Sequence, residues 1–78
     1  MNADNLVTMA NRIGAFFQSL PDEDEAQREI RDHLRKFWPV VMRRTLVAHA
    51  ATGQAPHLIP LVQAALQRYG AEWLEPQA

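Results

Sequence analysis

The stretch Phe37-Trp38-Pro39-Val40-Val41-Met42-Arg43-Arg44 decides how the chain is divided. On its N-terminal side Ala26, Ile30, Leu34 and Phe37 recur at three- and four-residue steps, the spacing of one helical face. Pro39 ends that helix, because a proline disfavours helical dihedrals in the residue before it and has no amide hydrogen to donate. The same proline suits the first turn of a new helix. The stretch therefore reads as the junction of two helices, about 23–37 and 39–51, joined at a proline hinge with almost no loop. Phe37 is expected to pack inward, while Trp38 and Pro39 set the angle between the helices. Met42, Leu46, His49 and Ala50 form the apolar face of the second helix, widened by Val40 and Val47, and Arg43 and Arg44 point elsewhere, toward a partner.

Upstream of the stretch, Asp22 opens a D-x-x-E pattern in which Glu25 can complete a capping box. The acidic run Asp22 to Glu25 followed by a basic segment matches the polarity of a helix dipole. Asp24 with Arg28, and Asp32 with Lys36, stand four apart and are expected to pair weakly. Before Pro21, the residues Leu6, Met9, Ala10, Ile13, Phe16, Phe17 and Leu20 trace the stripe of a first helix, about 4–20. Gly14 lies inside that stripe at a cost of roughly 1 kcal/mol against alanine, so either a neighbouring helix approaches closely there or the helix is weakened.

Downstream, Thr52-Gly53-Gln54 reads as a helix stop, since glycine accepts the left-handed conformation that commonly ends helices. A fourth helix follows at about 58–69, with Pro60 in its first turn. Val62, Ala65, Leu66 and Tyr69 form its stripe, Trp73 extends it unless Gly70 ends the helix early, and residues 74–78 make a polar tail. With no strand-like alternation or internal repeat, the expected fold is all-α, one domain over 1–78 built from four short helices.

Composition removes most kinds of chemistry. The 78 residues contain no cysteine, which excludes a disulfide framework and a thiolate metal site and fits a reducing compartment. No signal-peptide order opens the sequence and no apolar run is long enough to cross a bilayer, so a soluble, cytoplasmic protein without membrane attachment is expected. His33, His49 and His57 form no i,i+4 ligand pair, and His33 and His49 lie beside apolar stripes, where a hydrogen-bonded structural histidine is the usual occupant. Ser19 is the only serine and has no glycine elbow around it. The sequence predicts no catalytic residue, no cofactor and no metal of its own.

A formal net charge of −1 conceals a local excess: six of the eight basic residues (Arg28, Arg31, Arg35, Lys36, Arg43, Arg44) fall within 28–44, opposed only by Glu29 and Asp32. With Phe37 and Trp38 among them, this segment suits either an acidic protein surface, where arginine and tryptophan are favoured anchors, or a nucleic acid. The slightly negative total and the missing turn at Trp38-Pro39 argue against a helix-turn-helix and for a protein partner. Self-association through Phe17 or Trp73 is the remaining alternative.

The run Asn5-Leu6-Val7-Thr8-Met9-Ala10-Asn11-Arg12-Ile13-Gly14-Ala15-Phe16-Phe17, followed by His33, Phe37-Trp38, Met42-Arg43 and the segment Leu58 to Leu66, resembles the delta subunit of bacterial NAD-dependent formate dehydrogenases. The resemblance spans about residues 5 to 69. It departs from the family pattern after Phe37-Trp38, where the proline comes one position early and Val41 replaces an arginine, and at Ile59, which stands where an Asp or Ser usually caps the last helix. The resemblance implies a non-catalytic accessory subunit, without cofactor, of a soluble enzyme whose large alpha subunit carries a molybdenum or tungsten pterin. Its implied role is assembly, cofactor loading or stability of that alpha subunit. Phe17, His33, Trp38, Arg43 and Arg44 are the residues expected to meet it.

Overall fold

A computed structural model describes residues 2–76 of the chain, so positions 77 and 78 of the expected tail lie outside the described residues. Four helices account for the fold: α1 (Ala3–Phe17), α2 (Glu23–Phe37), α3 (Val40–Ala51) and α4 (Pro60–Trp73). No strand occurs among the described residues. Every pair of helices is in contact, and α2 against α4 is the most extensive pairing. The radius of gyration, 11.3 Å, equals that of a close-packed domain of this length, about 11.5 Å.

The helix limits follow local chemistry, with adjustments. Asn2 caps α1 by accepting the Asp4 amide at 2.9 Å. The helix ends at Phe17 rather than Leu20, because Pro21 disfavours helical backbone before it and the chain unwinds through the turn Leu20 N–H to Phe17 C=O. Asp22 caps α2, accepting the amides of Asp24 at 2.9 Å and Glu25 at 3.5 Å, while Glu25 makes no return bond among the described residues. Trp38 (φ −98°, ψ 132°) and Pro39 (φ −57°, ψ 150°) are both extended, and α3 begins at Val40 with Pro39 as its cap residue. Gly53 at φ +74° closes α3, bringing the Gln54 amide onto the His49 carbonyl at 3.1 Å. Helix α4 starts at Pro60 and runs through Gly70 to Trp73, so Gly70 does not end it. Burial of the whole Trp73 side chain outweighs the roughly 1 kcal/mol that an internal glycine costs.

The core gathers Leu6, Val7 and Ala10 of α1, Ala26, Ile30 and Leu34 of α2, Leu46 of α3, and Leu61, Val62, Ala65 and Trp73 of α4, with Trp38 and Leu58 from the connections. Gly14 marks the closest approach. A Cβ built there would lie 2.5 Å from Val62 Cγ2 and 2.9 Å from Ile59 Cδ1, so the glycine serves close packing of α1 on α4.

Two aromatic expectations need correction. Phe37 is 63% exposed, and the adjacent Trp38 is buried instead. The buried residues Ala26, Ile30, Leu34 and Trp38 stand four apart, and the extended backbone at Trp38 lets its indole continue the row while Phe37 remains on the outer side. Phe16 is 74% exposed. The contact face of α1 is set by Leu6, Ala10 and Gly14, four apart, and a residue two beyond Gly14 lies on the far side of the helix.

Candidate functional site

Phe16 and Phe37 are the ends of a continuous aromatic ridge. The C-terminal turn of α1 presents Phe16 and Phe17, whose rings meet edge to face with centroids 5.0 Å apart. Across the helix boundary, Phe17 meets the His33 ring of α2 at 6.3 Å, and His33 meets Phe37 one turn further on at 4.7 Å. Edge-to-face and tilted rings at these separations attract through their quadrupoles. Phe17 and His33 are half-buried, so each joins an exposed ring to the body of the domain. A cleft of about 330 Å³ opens along the ridge, lined by Arg12, Ile13, Phe16, Phe17 and His33. A second depression, lined by Phe17, Glu29, Asp32, His33, Lys36 and Phe37, adjoins it through the two shared residues. Large exposed apolar side chains are costly to leave in water when they are contiguous, which makes the ridge the candidate site.

Of the residues expected to meet a partner, Phe17 and His33 lie in the ridge and Trp38 is buried, while the exposed rings of Phe16 and Phe37 were both expected to face inward. The usable signal was Gly14, the residue with least side chain, which fixes the packed face and so places Phe16 outside.

Arg43 lies elsewhere, and not as expected. It is 1% exposed, inside the corner where α2 ends, α3 begins and α4 ends. Its guanidinium donates to the Arg35 carbonyl at 3.1 Å and to the Glu75 carbonyl at 2.7 Å, while Nε has no acceptor. Arg44 remains at the surface and donates from Nε to the Leu74 carbonyl at 2.8 Å. Terminal helix carbonyls lack intrahelical donors, and cations near a helix C-terminus are favourable. The Arg35 carbonyl in the last turn of α2 and the Leu74 and Glu75 carbonyls just past α4 give the two arginines their acceptors. Burial, with Arg35 and Arg44 adding repulsion, lowers the Arg43 pKa from its ordinary value.

Two further residues of the basic segment are engaged within the chain. Arg35 pairs with Glu72 at 3.2 Å. Arg31 pairs with its neighbour Asp32 at 2.7 Å and stacks over the Tyr69 ring at 4.7 Å. The hydrogen bond to Asp32, followed by that residue's charge, raises the Arg31 pKa against the opposing effect of burial. Asp24 reaches across to Arg68 of α4 at 2.9 Å rather than along α2 to Arg28, and Asp32 takes Arg31 rather than Lys36. The α2–α4 packing brings Arg68 within reach of Asp24, a competitor that a helix considered alone does not reveal.

Trp73, one of the residues weighed for self-association, is completely buried, and its indole N–H donates to the Arg31 carbonyl at 3.3 Å. His49 is not the hydrogen-bonded histidine that was expected: among the described residues its buried Nε2 has no hydrogen-bond partner and stands 3.6 Å from an Asp4 oxygen. Among the described residues no three His, Cys, Asp or Glu side chains converge to hold a metal ion. None of the described helices is long and apolar enough to cross a membrane.

Comparison with known proteins gives one match. A family model described as the NADH-dependent formate dehydrogenase delta subunit FdsD matches residues 5–66. The match covers most of the chain, so the chain belongs to that family. Neither the curated proteins nor the solved structures include a match.

Proposed function

We propose that this member of the formate dehydrogenase delta-subunit family is a non-catalytic accessory subunit, docking through its aromatic ridge onto the large pterin-carrying alpha subunit in the cytoplasm. Family membership supports the enzyme assignment. The observation that carries the docking mode is the pair of exposed rings, Phe16 and Phe37, linked through Phe17 and His33 into one surface. Aromatic anchors dominate the binding energy of protein interfaces because they bury much area for little lost conformational freedom. Trp38 supports the ridge from within as a core residue beside Phe37, while Arg43, away from the ridge, ties α2 to the chain beyond α4. The role that follows is assembly, cofactor loading or stability of the alpha subunit.

The test is co-expression of the tagged chain with the other subunits of its formate dehydrogenase, followed by size-exclusion chromatography. The wild type is expected to travel with the pterin subunit, and a Phe16→Ser/Phe37→Ser double variant to be lost from it with its helical circular dichroism intact. Full retention of the double variant would remove the ridge as the docking surface. Failure of the wild type to associate would remove the accessory reading itself. The metal content of the alpha subunit made with and without this chain then separates cofactor loading, which changes it, from stability, which changes only thermal inactivation.

A further inference from the structure

Among the described residues no carboxylate neutralises the charge of Arg43 in the corner it occupies. Arg43 is buried, its guanidinium meets only main-chain carbonyls, its Nε is unpaired, and no ion pair involves it among the described residues. Buried cations are ordinarily paired with an anion, because carbonyl dipoles replace hydration only in part. Arg35 and Arg44 stand close to it, against Glu72, which Arg35 engages, and Glu75, which forms no ion pair among the described residues. Two exposed aliphatic side chains lie beside Arg44 at the surface of this corner. Val41 is 55% exposed and lies one helical turn from Arg44 on the same face of α3, and Leu74 is 41% exposed and supplies the carbonyl that Arg44 holds.

We propose that this corner binds an acidic protein segment, a partner carboxylate paired with Arg44 and flanked by apolar side chains resting on Val41 and Leu74. Arg44 Nε is occupied by the Leu74 carbonyl, which leaves its terminal nitrogens as donors and holds the fork in a fixed direction. A fixed guanidinium loses little freedom on meeting a carboxylate, and the buried charge of Arg43 adds its field without itself being reached. Charge complementarity of this kind sets on-rate and specificity, so the contact is sensitive to salt. The two exposed aliphatic side chains, Val41 and Leu74, offer nothing to a phosphate backbone, which favours a protein over a nucleic acid. The inference deepens the accessory reading, on which it rests, by assigning a second, charge-selective contact to the partner.

Val41 allows a test in which folding and binding respond with opposite sign. Position 41 lies in the first turn of α3, where the helix dipole favours an acid and disfavours a base. Val41→Asp therefore keeps or improves the helix while repelling a partner carboxylate, and Val41→Lys does the reverse. Binding of wild type, Val41→Asp and Val41→Lys to immobilised formate dehydrogenase subunits lacking this chain would be measured at low and moderate salt. About tenfold weaker binding for the aspartate variant and tighter binding for the lysine variant, converging as salt rises, is the expected result. Equal binding by the two variants, or changes in the same direction, would overturn the corner contact while leaving the accessory reading standing. Absence of wild-type binding would remove both. Tighter binding by the lysine variant to a DNA or RNA oligonucleotide alone, with none to the subunits, would overturn the protein partner in favour of a nucleic acid.

Discussion

The side-chain oxygen of Asn11 accepts the Ile59 amide hydrogen at 2.9 Å, while its side-chain nitrogen donates to the His57 carbonyl, also at 2.9 Å. One amide on α1 thus clamps the loop that launches α4. Ile59 offers no side-chain cap to that helix, and the Asn11 bond fixes its backbone instead. The Met9-Ala10-Asn11 run that carried the family resemblance acquires physical roles here, since Ala10 fills a core position and Asn11 holds the loop.

Asn11→Ala removes both bonds and leaves the Ile59 amide without its partner. The expected loss is about 1–3 kcal/mol from two hydrogen bonds and one partly buried orphan. Asn11→Asp keeps an acceptor for Ile59 and loses the donor to His57, so its urea midpoint should fall between those of alanine variant and wild type. Equal midpoints for all three would show that the clamp adds nothing.

Gly14→Ala sets two known effects against each other. Alanine gains about 1 kcal/mol in helix propensity, but its methyl would stand 2.5 Å from Val62 Cγ2, a stiff β-branched side chain with no exposure. Overpacking of this kind costs about 1–3 kcal/mol. The substitution should therefore lower the melting temperature by several degrees, at about 4–8 °C per kcal/mol for a domain of this size. A rise would mean that α1 and α4 separate freely at this point.

Phe37 and Trp38 are neighbours with opposite environments, which predicts opposite mutational costs. Phe37→Ser should change stability by no more than about 0.5 kcal/mol, the usual range at the surface. Trp38→Ala should cost about 3–5 kcal/mol through lost burial and a residual cavity. Equilibrium urea unfolding of the two variants measures both, and similar costs would contradict the arrangement at the end of α2.

Arg43→Lys should destabilise the domain by about 2 kcal/mol, because one ammonium cannot replace a planar fork that meets the Arg35 and Glu75 carbonyls together. Limited proteolysis should then cut sooner after Trp73. The pH dependence has a definite sign. Burial, with Arg35 and Arg44, lowers the folded-state pKa of Arg43, so the folded chain binds this proton more weakly than the unfolded chain. The resulting cost is present whenever both states are protonated and is relieved only as pH rises through the folded value. The stability difference between wild type and Arg43→Met should therefore stay flat over about pH 6 to 8, where arginine keeps its proton in both states.

Local signals located the helices well. The Asp22 cap, the Pro39 interruption and the Gly53 stop each act through the backbone of a few neighbouring residues, so each was legible without knowledge of the fold. The half-buried positions of the ridge were legible too, Phe17 within the stripe of α1 and His33 beside that of α2. Phe16 and Phe37 were not, because periodicity gives the direction of a side chain to within a broad sector, whereas burial depends on which neighbour occupies that sector.

The sequence by itself determined an all-α chain of four short helices, their approximate limits, and the absence of cysteine chemistry. These follow from dihedral preference, capping and composition, which are local. Only the tertiary structure decided that Gly14 meets Val62, that Asp24 takes Arg68, and that Arg43 is interior while Phe16 and Phe37 face water. Each of these depends on two or more helices competing for the same space or charge. Arg43 is the sharpest case: its polarity argues for the surface, yet one carbonyl in the last turn of α2 and one just past α4 converge in an interior corner where its guanidinium donates to both.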